Sequence, residues 1–134
     1  MRDPERTKRI RTIERRIKPL VQILNRRGIK TIGSCQGHFG YDEPKVVTEQ
    51  AYVEFISSKD EFFKLQELIS RNLGRRRKSW LNFKNKEKEN SELISGTIYI
   101  FPPKDRSPQK RRKAIDRLIK KITKVVQEEY LLPT

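Results

Sequence analysis

The sequence predicts an α+β fold, with helices covering an antiparallel or mixed sheet. Three observations carry this expectation. Apolar residues recur at three- and four-residue steps in three separate stretches. The segments between those stretches alternate at period two. Serines, prolines and glycines stand at the junctions as caps and stops. The order is helix, strand, strand, helix, strand, strand, helix, within 134 residues. That is the length of one domain, large enough to build a core without disulfide or metal.

The first helix is expected over residues 4–27. Asp3 fits the N-cap and Pro4 the first helical position. Ile10, Ile13, Ile17, Leu20, Val21 and Leu24 form one face, and Gly28 offers a left-handed stop. Pro19 removes a backbone donor and should kink or split the run near Lys18. Residues 29–33 read as a short strand. Residues 51–57 alternate as a second, with Tyr52 and Glu54 opposite Val53 and Phe55. The second helix, residues 59–73, opens on a capping box of Ser58 and Glu61 and buries Phe62, Leu65, Leu68, Ile69 and Leu73. Gly74 is expected to end it. Residues 78–85 and 92–101 read as a hairpin, its tip in the polar residues 85–90. The last helix, residues 108–131, is capped by Ser107 and opened by Pro108. Its face of Ile115, Leu118, Ile119, Ile122, Val125, Val126 and Tyr130 lies opposite a stripe of Lys110, Lys113, Arg117, Lys120, Lys121 and Lys124.

Composition narrows function. Lys plus Arg number 32 against 17 Asp plus Glu, a net charge of +15. Heat adaptation enriches charges of both signs together, so it accounts for the 37% charged residues but not for the excess of one sign. An excess of this size favours a polyanionic partner, nucleic acid first. The bland alternative is a solvated basic surface. No apolar run approaches a membrane span, and the first residues carry no secretory h-region. One cysteine, Cys35, excludes an intrachain disulfide and points to a reducing, cytoplasmic setting.

The loop Gly33-Ser34-Cys35-Gln36-Gly37-His38-Phe39-Gly40 holds three of the six glycines, the one cysteine and the one histidine. Its position after a strand suits a ligand-binding turn, with Gly33, Gly37 and Gly40 permitting close backbone approach. It is neither a P-loop nor a dinucleotide fingerprint. Three readings stay open for Cys35 and His38. One is a thiol nucleophile activated by the imidazole. Another is a zinc site completed by Asp42 or Glu43, or by a second chain. The third is a structural turn with Cys35 buried and His38 hydrogen-bonding or touching phosphate. The third needs no metal, and none is expected.

At Ile29-Lys30-Thr31-Ile32-Gly33-Ser34-Cys35-Gln36-Gly37-His38 the chain resembles the Ser-Ser-Cys-Ser-Gly-Arg signature of the tRNA wybutosine-synthesising methyltransferases. Ser34, Cys35 and Gly37 match; Gly33 replaces the first Ser and His38 the Arg. Asn25 stands before the motif as in that family, and a strand and helix follow it. The resemblance implies an α+β fold, a tRNA substrate, S-adenosylmethionine as methyl donor, and Ser34, Cys35 and His38 as catalytic candidates. The loop also looks like the Ser-Cys-x-Gly-His turn of small bacterial and mobile-element proteins.

Arg75-Arg76-Arg77-Lys78 beside Trp80 reads as a phosphate-plus-stacking element. The alternative is a solvated loop with Trp80 in the core. Lys110-Arg111-Arg112-Lys113, continued by Arg117 and Lys121, loads the last helix, and Arg6 to Lys18 load the first. Basic residues at helix starts oppose the macrodipole, which hints that they serve binding. No Cys-x-x-Cys zinc module, helix-turn-helix or RNP-type aromatic signature is visible. The expectation is an RNA-binding protein, with RNA favoured over DNA by the resemblance. Its enzyme version is a methyltransferase relative. The alternatives are a non-enzymatic DNA-binding or mobile-element accessory protein, and a protein-interaction module of a heat-adapted organism.

Overall fold

In the computed structural model, residues 13–39, 49–87 and 91–130 are described. The chain runs α1 (Lys18–Arg26), β1 (Lys30–Cys35), β2 (Ala51–Ser58), α2 (Lys59–Asn72), α3 (Arg75–Lys78), β3 (Leu81–Glu87), β4 (Leu93–Ile100) and α4 (Pro108–Glu129). The strands form one sheet in the order β1-β2-β4-β3, and each neighbouring pair is antiparallel. The expected α+β class is therefore present, and the sheet is antiparallel rather than mixed.

Alternation decides which face is covered. Ala51, Val53 and Phe55 of β2 and Ile94, Ile98 and Ile100 of β4 are buried. They join one cluster with Leu20 and Leu24 of α1, Phe62 and Leu65 of α2, and Ile115 and Ile122 of α4. α1, α2 and α4 each contribute a single apolar stripe, so these three described helices lie over this one face. Leu81 and Phe83 pack at its margin. Gly96 lets α2 come close: a Cβ there would sit 2.7 Å from Phe62 and 2.8 Å from Phe55. The opposite face carries Tyr52, Glu54, Ile56 and Tyr99, each partly exposed.

The differences from expectation have local causes. The first helix begins at Lys18, with Pro19 in its first turn, where the missing N–H costs nothing. Residues 15–17 form a turn instead of continuing an upstream helix, and the expected start at Asp3 and Pro4 lies outside the described residues. Gly28 stops α1 at φ 85° as expected. β1 extends to Cys35, two residues beyond the expected end, because Ser34 pairs with Val53 and Cys35 with Tyr52. A bulge between Thr31 and Gly33 sets that register. The capping box of α2 is complete. Gly74 does not end the helix with a left-handed turn. It caps α3, so Arg75–Lys78 is a short helical turn, neither loop nor strand, and β3 starts only at Leu81. β3 runs to Glu87, into the expected hairpin tip. Ser107 caps α4 by accepting from the Lys110 N–H, and α4 ends at Glu129, ahead of the expected 131.

Candidate functional site

The loop after β1 is held from two sides. From the chain before α1, Glu14 accepts from the Gln36 backbone N–H at 3.0 Å through one carboxylate oxygen. Its other oxygen lies 3.0 Å from His38 Nε2. Gln36 Oε1 in turn accepts from the Arg16 N–H at 2.9 Å. From α4, Arg112 donates to the Gln36 carbonyl at 2.8 Å and to the Gly37 carbonyl, and its guanidinium lies 4.5 Å from the Phe39 ring centre. Gly37 sits at φ 86°, with the Glu49 carbonyl only 2.5 Å from where a Cβ would be. Only glycine fits there without strain.

This geometry brings Cys35 and His38 together and leaves Ser34 apart. Donor atoms of Glu14, Cys35 and His38 lie within 4.8 Å of one another. Ser34, adjacent in a strand to Cys35, projects to the other face. Burial is the main force raising the Cys35 thiol above its ordinary value, and Glu14 adds to it; the Gly37 N–H at 3.5 Å from sulfur opposes the shift. The thiol is therefore held protonated, unlike an activated nucleophile. Carboxylate, cysteine sulfur and imidazole are donors zinc accepts, so these three side chains could supply three ligands to a metal ion. Asp42, Glu43 and Gly40 lie outside the described residues. Asn25 accepts from the Thr31 N–H and hydroxyl, both at 3.0 Å, and so fixes the entry into β1.

A groove of about 520 Å³ runs between α1 and α4, past Arg16, Pro19, Gln36, Asp116 and Ile119. A second cavity of about 350 Å³ lies between α3 and α4. Neither is lined by Ser34, Cys35 or His38.

The second cavity gathers the basic residues. Trp80 packs one side on the core margin. The Arg76 guanidinium lies 5.8 Å from its ring centre and that of Arg106 lies 5.6 Å away. Both are within cation–π range. Arg77 and Arg117 line the same cavity, and among the described residues no carboxylate does. Trp80 thus has one side on the core margin and the other toward the arginines. Arg75 and Lys78 are exposed on α3, as are Lys110, Lys113, Lys120 and Lys124 on α4. Lys121 is half-buried.

The other two basic residues singled out on α4 face inward. Arg111 forms a two-pronged pair with Glu49, at 3.0 and 2.7 Å. Arg112 is 4% exposed and occupied with the loop carbonyls. A guanidinium so buried has no path to an external phosphate. Sequence reasoning missed Glu14, which lay in a stretch assigned to helix. It also missed Arg106, whose role depends on how the segment before α4 folds back over Trp80.

Compared with family models, curated proteins and solved structures, the chain matches none. Function therefore rests on the residues themselves.

Proposed function

We propose that this protein binds RNA through its basic surface, gripping phosphates in the arginine-lined cavity around Trp80. One observation carries the reading. Four guanidiniums, from Arg76, Arg77, Arg106 and Arg117, line one cavity with an indole and, among the described residues, no carboxylate. Like charges gathered without a counter-charge repel, and an anion relieves the repulsion. Guanidiniums match phosphate oxygens in fork geometry, and their planes and the indole suit stacking. Arg117 also belongs to the exposed stripe of α4, which extends the positive surface along Lys110, Lys113, Lys120 and Lys124. A polyanion longer than one phosphate fits that layout. The preference for RNA over DNA comes from the likeness of the Ser34–Cys35–Gly37 turn to tRNA-modifying enzymes.

The test is titration of bulk tRNA and of duplex DNA of matched length across a salt series. Tight binding to tRNA that outlasts binding to DNA supports the reading. Arg76→Ala and Arg117→Ala should each flatten the log–log salt slope by about 0.7–0.9, the share of one neutralised phosphate. Equal binding to both acids marks a nonspecific polyanion surface, and no binding to either at low salt sinks the reading.

The groove between α1 and α4 favours a second reading, that of a methyl-transferring relative. Its volume suits a small molecule, and Gln36 of the signature turn lines it. S-adenosylmethionine should then raise the melting temperature. No shift at saturating cofactor would remove this reading.

A further inference from the structure

We infer that the face of the sheet opposite the described helices is a stacking platform for unpaired RNA bases. The inference rests on the RNA-binding reading and names the part of the RNA that this second surface takes.

The face is read from the register. Directly opposed residues in antiparallel strands share a face. Tyr52 of β2 opposes Tyr99 of β4, and Phe101 follows on the same side just past the end of β4. The ring centres of Tyr52 and Tyr99 are 6.0 Å apart, and those of Tyr99 and Phe101 are 6.1 Å apart with planes 25° from parallel. Three aromatic rings thus form a row across the two central strands. Tyr52 and Tyr99 are partly exposed, and Phe101 is 40% exposed. None of them joins the core cluster beneath the helices.

The edges of the face are basic. On β3, Asn82, Lys84 and Lys86 oppose Tyr99, Thr97 and Ser95, and all three are exposed. The Lys84 ammonium lies 5.7 Å from the Tyr99 ring centre. At the other edge, exposed Lys30 of β1 opposes Ile56. Aromatics in the centre and cations along the rims are the two parts that single-stranded nucleic acid needs. Bases stack on the rings while phosphates pair with the lysines. Glu54 is the one acid that the described strand residues place on this face, and it offers an acceptor for an exocyclic base amine; Glu14 stands beside Cys35 at the Tyr52 end.

The row also leads toward the arginine cavity. The Phe101 N–H donates to the Trp80 carbonyl at 2.8 Å, so the last ring of the row adjoins the residue at the centre of the cavity. A strand lying along the rings ends beside the arginines. A second copy of this chain is a poor occupant, because two faces rimmed by lysine, on chains of net charge +15, repel. A duplex is poor too, because its bases are already stacked on one another.

The experiment uses the full chain and a single-stranded RNA of about ten nucleotides carrying 2-aminopurine at its centre, with a matched RNA duplex. The variants are Tyr52→Leu/Tyr99→Leu and, at the more exposed ring, Phe101→Leu, each checked for an unchanged thermal transition. Arg76→Ala/Arg117→Ala serves as the phosphate control. The native protein should alter the 2-aminopurine fluorescence. The double tyrosine variant should bind the single strand about tenfold or more weakly and the duplex as before. The arginine variant should weaken both. A folded tyrosine variant and a folded Phe101→Leu that both bind the single strand as tightly as the native chain would overturn the platform. So would a native protein that binds duplex and tRNA but not the single strand, and either result leaves the arginine cavity standing. Failure of every nucleic acid to bind overturns both readings.

Discussion

Arg112 of α4 closes on the carbonyl oxygen of Gly37, a residue 75 positions earlier in the chain. The contact fastens the turn after β1 to the last helix, with the Gln36 carbonyl as a second acceptor. A guanidinium 4% exposed is costly to bury and is sustained only by such partners. Arg112→Met should therefore cost about 3 kcal/mol, because two carbonyls lose their donor inside the fold. Arg112→Lys should recover little, since an ammonium cannot span both oxygens from one plane. Urea denaturation of the three proteins measures this. A loss under ~1 kcal/mol in Arg112→Met would show that the turn does not depend on the helix.

Gly37 of the turn and Gly33 of β1 should respond differently to alanine. Gly37 has φ 86°, and a Cβ there would meet the Glu49 carbonyl at 2.5 Å. Gly37→Ala adds backbone strain and a backbone clash, for a loss of about 2 kcal/mol or more. At Gly33 the nearest atom to a new Cβ is the Glu54 Cβ at 3.9 Å, an ordinary contact. Gly33→Ala should be near neutral. Thermal melts of the two variants compare them directly, and equal losses would contradict the backbone account.

Cys35 should behave as an inert thiol at neutral pH. Burial raises its pKa above the ordinary 9.0, with Glu14 adding to the shift. Alkylation should be slower than for a free thiol in solution and should accelerate only at alkaline pH. The linked effect on stability has a definite sign. Above 9.0 the unfolded thiol ionises while the folded one keeps its proton, so the unfolded state gains. The contribution is intact below that pH and is lost as pH rises through the folded value. Cys35→Ser should flatten the alkaline limb of the stability profile. Rapid alkylation at pH 7 would instead reveal a thiolate and revive the nucleophile.

The arginine cavity should serve binding at no benefit to folding. Arg106→Gln removes one of four mutually repelling charges. It should shift the melting temperature at low salt by no more than about 2 °C, with a rise as the expected direction. Tripolyphosphate should raise the melting temperature of the native protein more than that of the variant. A large destabilisation in Arg106→Gln would mean that its stacking on Trp80 holds the fold together.

Much of the architecture is legible in the sequence, because caps and periodicity are local. Ser58 with Glu61, and Ser107 with Pro108, mark the starts of α2 and α4. The apolar periods of both helices and of β4 select the buried residues. What is not legible depends on partners distant in the chain. The end of β1 is set by pairing with β2, so Ser34 and Cys35 belong to the sheet rather than to a loop. Arg111 and Arg112 look like their basic neighbours until Glu49 and the Gly37 carbonyl are placed against them. Tyr52 and Tyr99 are separated by a helix and a hairpin in sequence, and no local pattern announces that they stand side by side. Glu14 reaches Cys35 and His38 only because the chain before Pro19 turns instead of running on as helix.

The bulge between Thr31 and Gly33 acts as a phase switch for the strand that follows it. Ile32 is the extra residue, 46% exposed and outside the ladder. Deleting it leaves every later residue of β1 on its present side. Absorbing it into the ladder inverts them all: Cys35 turns toward the helices and Ser34 comes to lie beside Tyr52. One residue with no partner in the sheet thus decides which of two neighbouring nucleophile-type side chains meets Glu14 and His38. The turn after β1 is for that reason sensitive to the length of the strand before it as well as to its own composition.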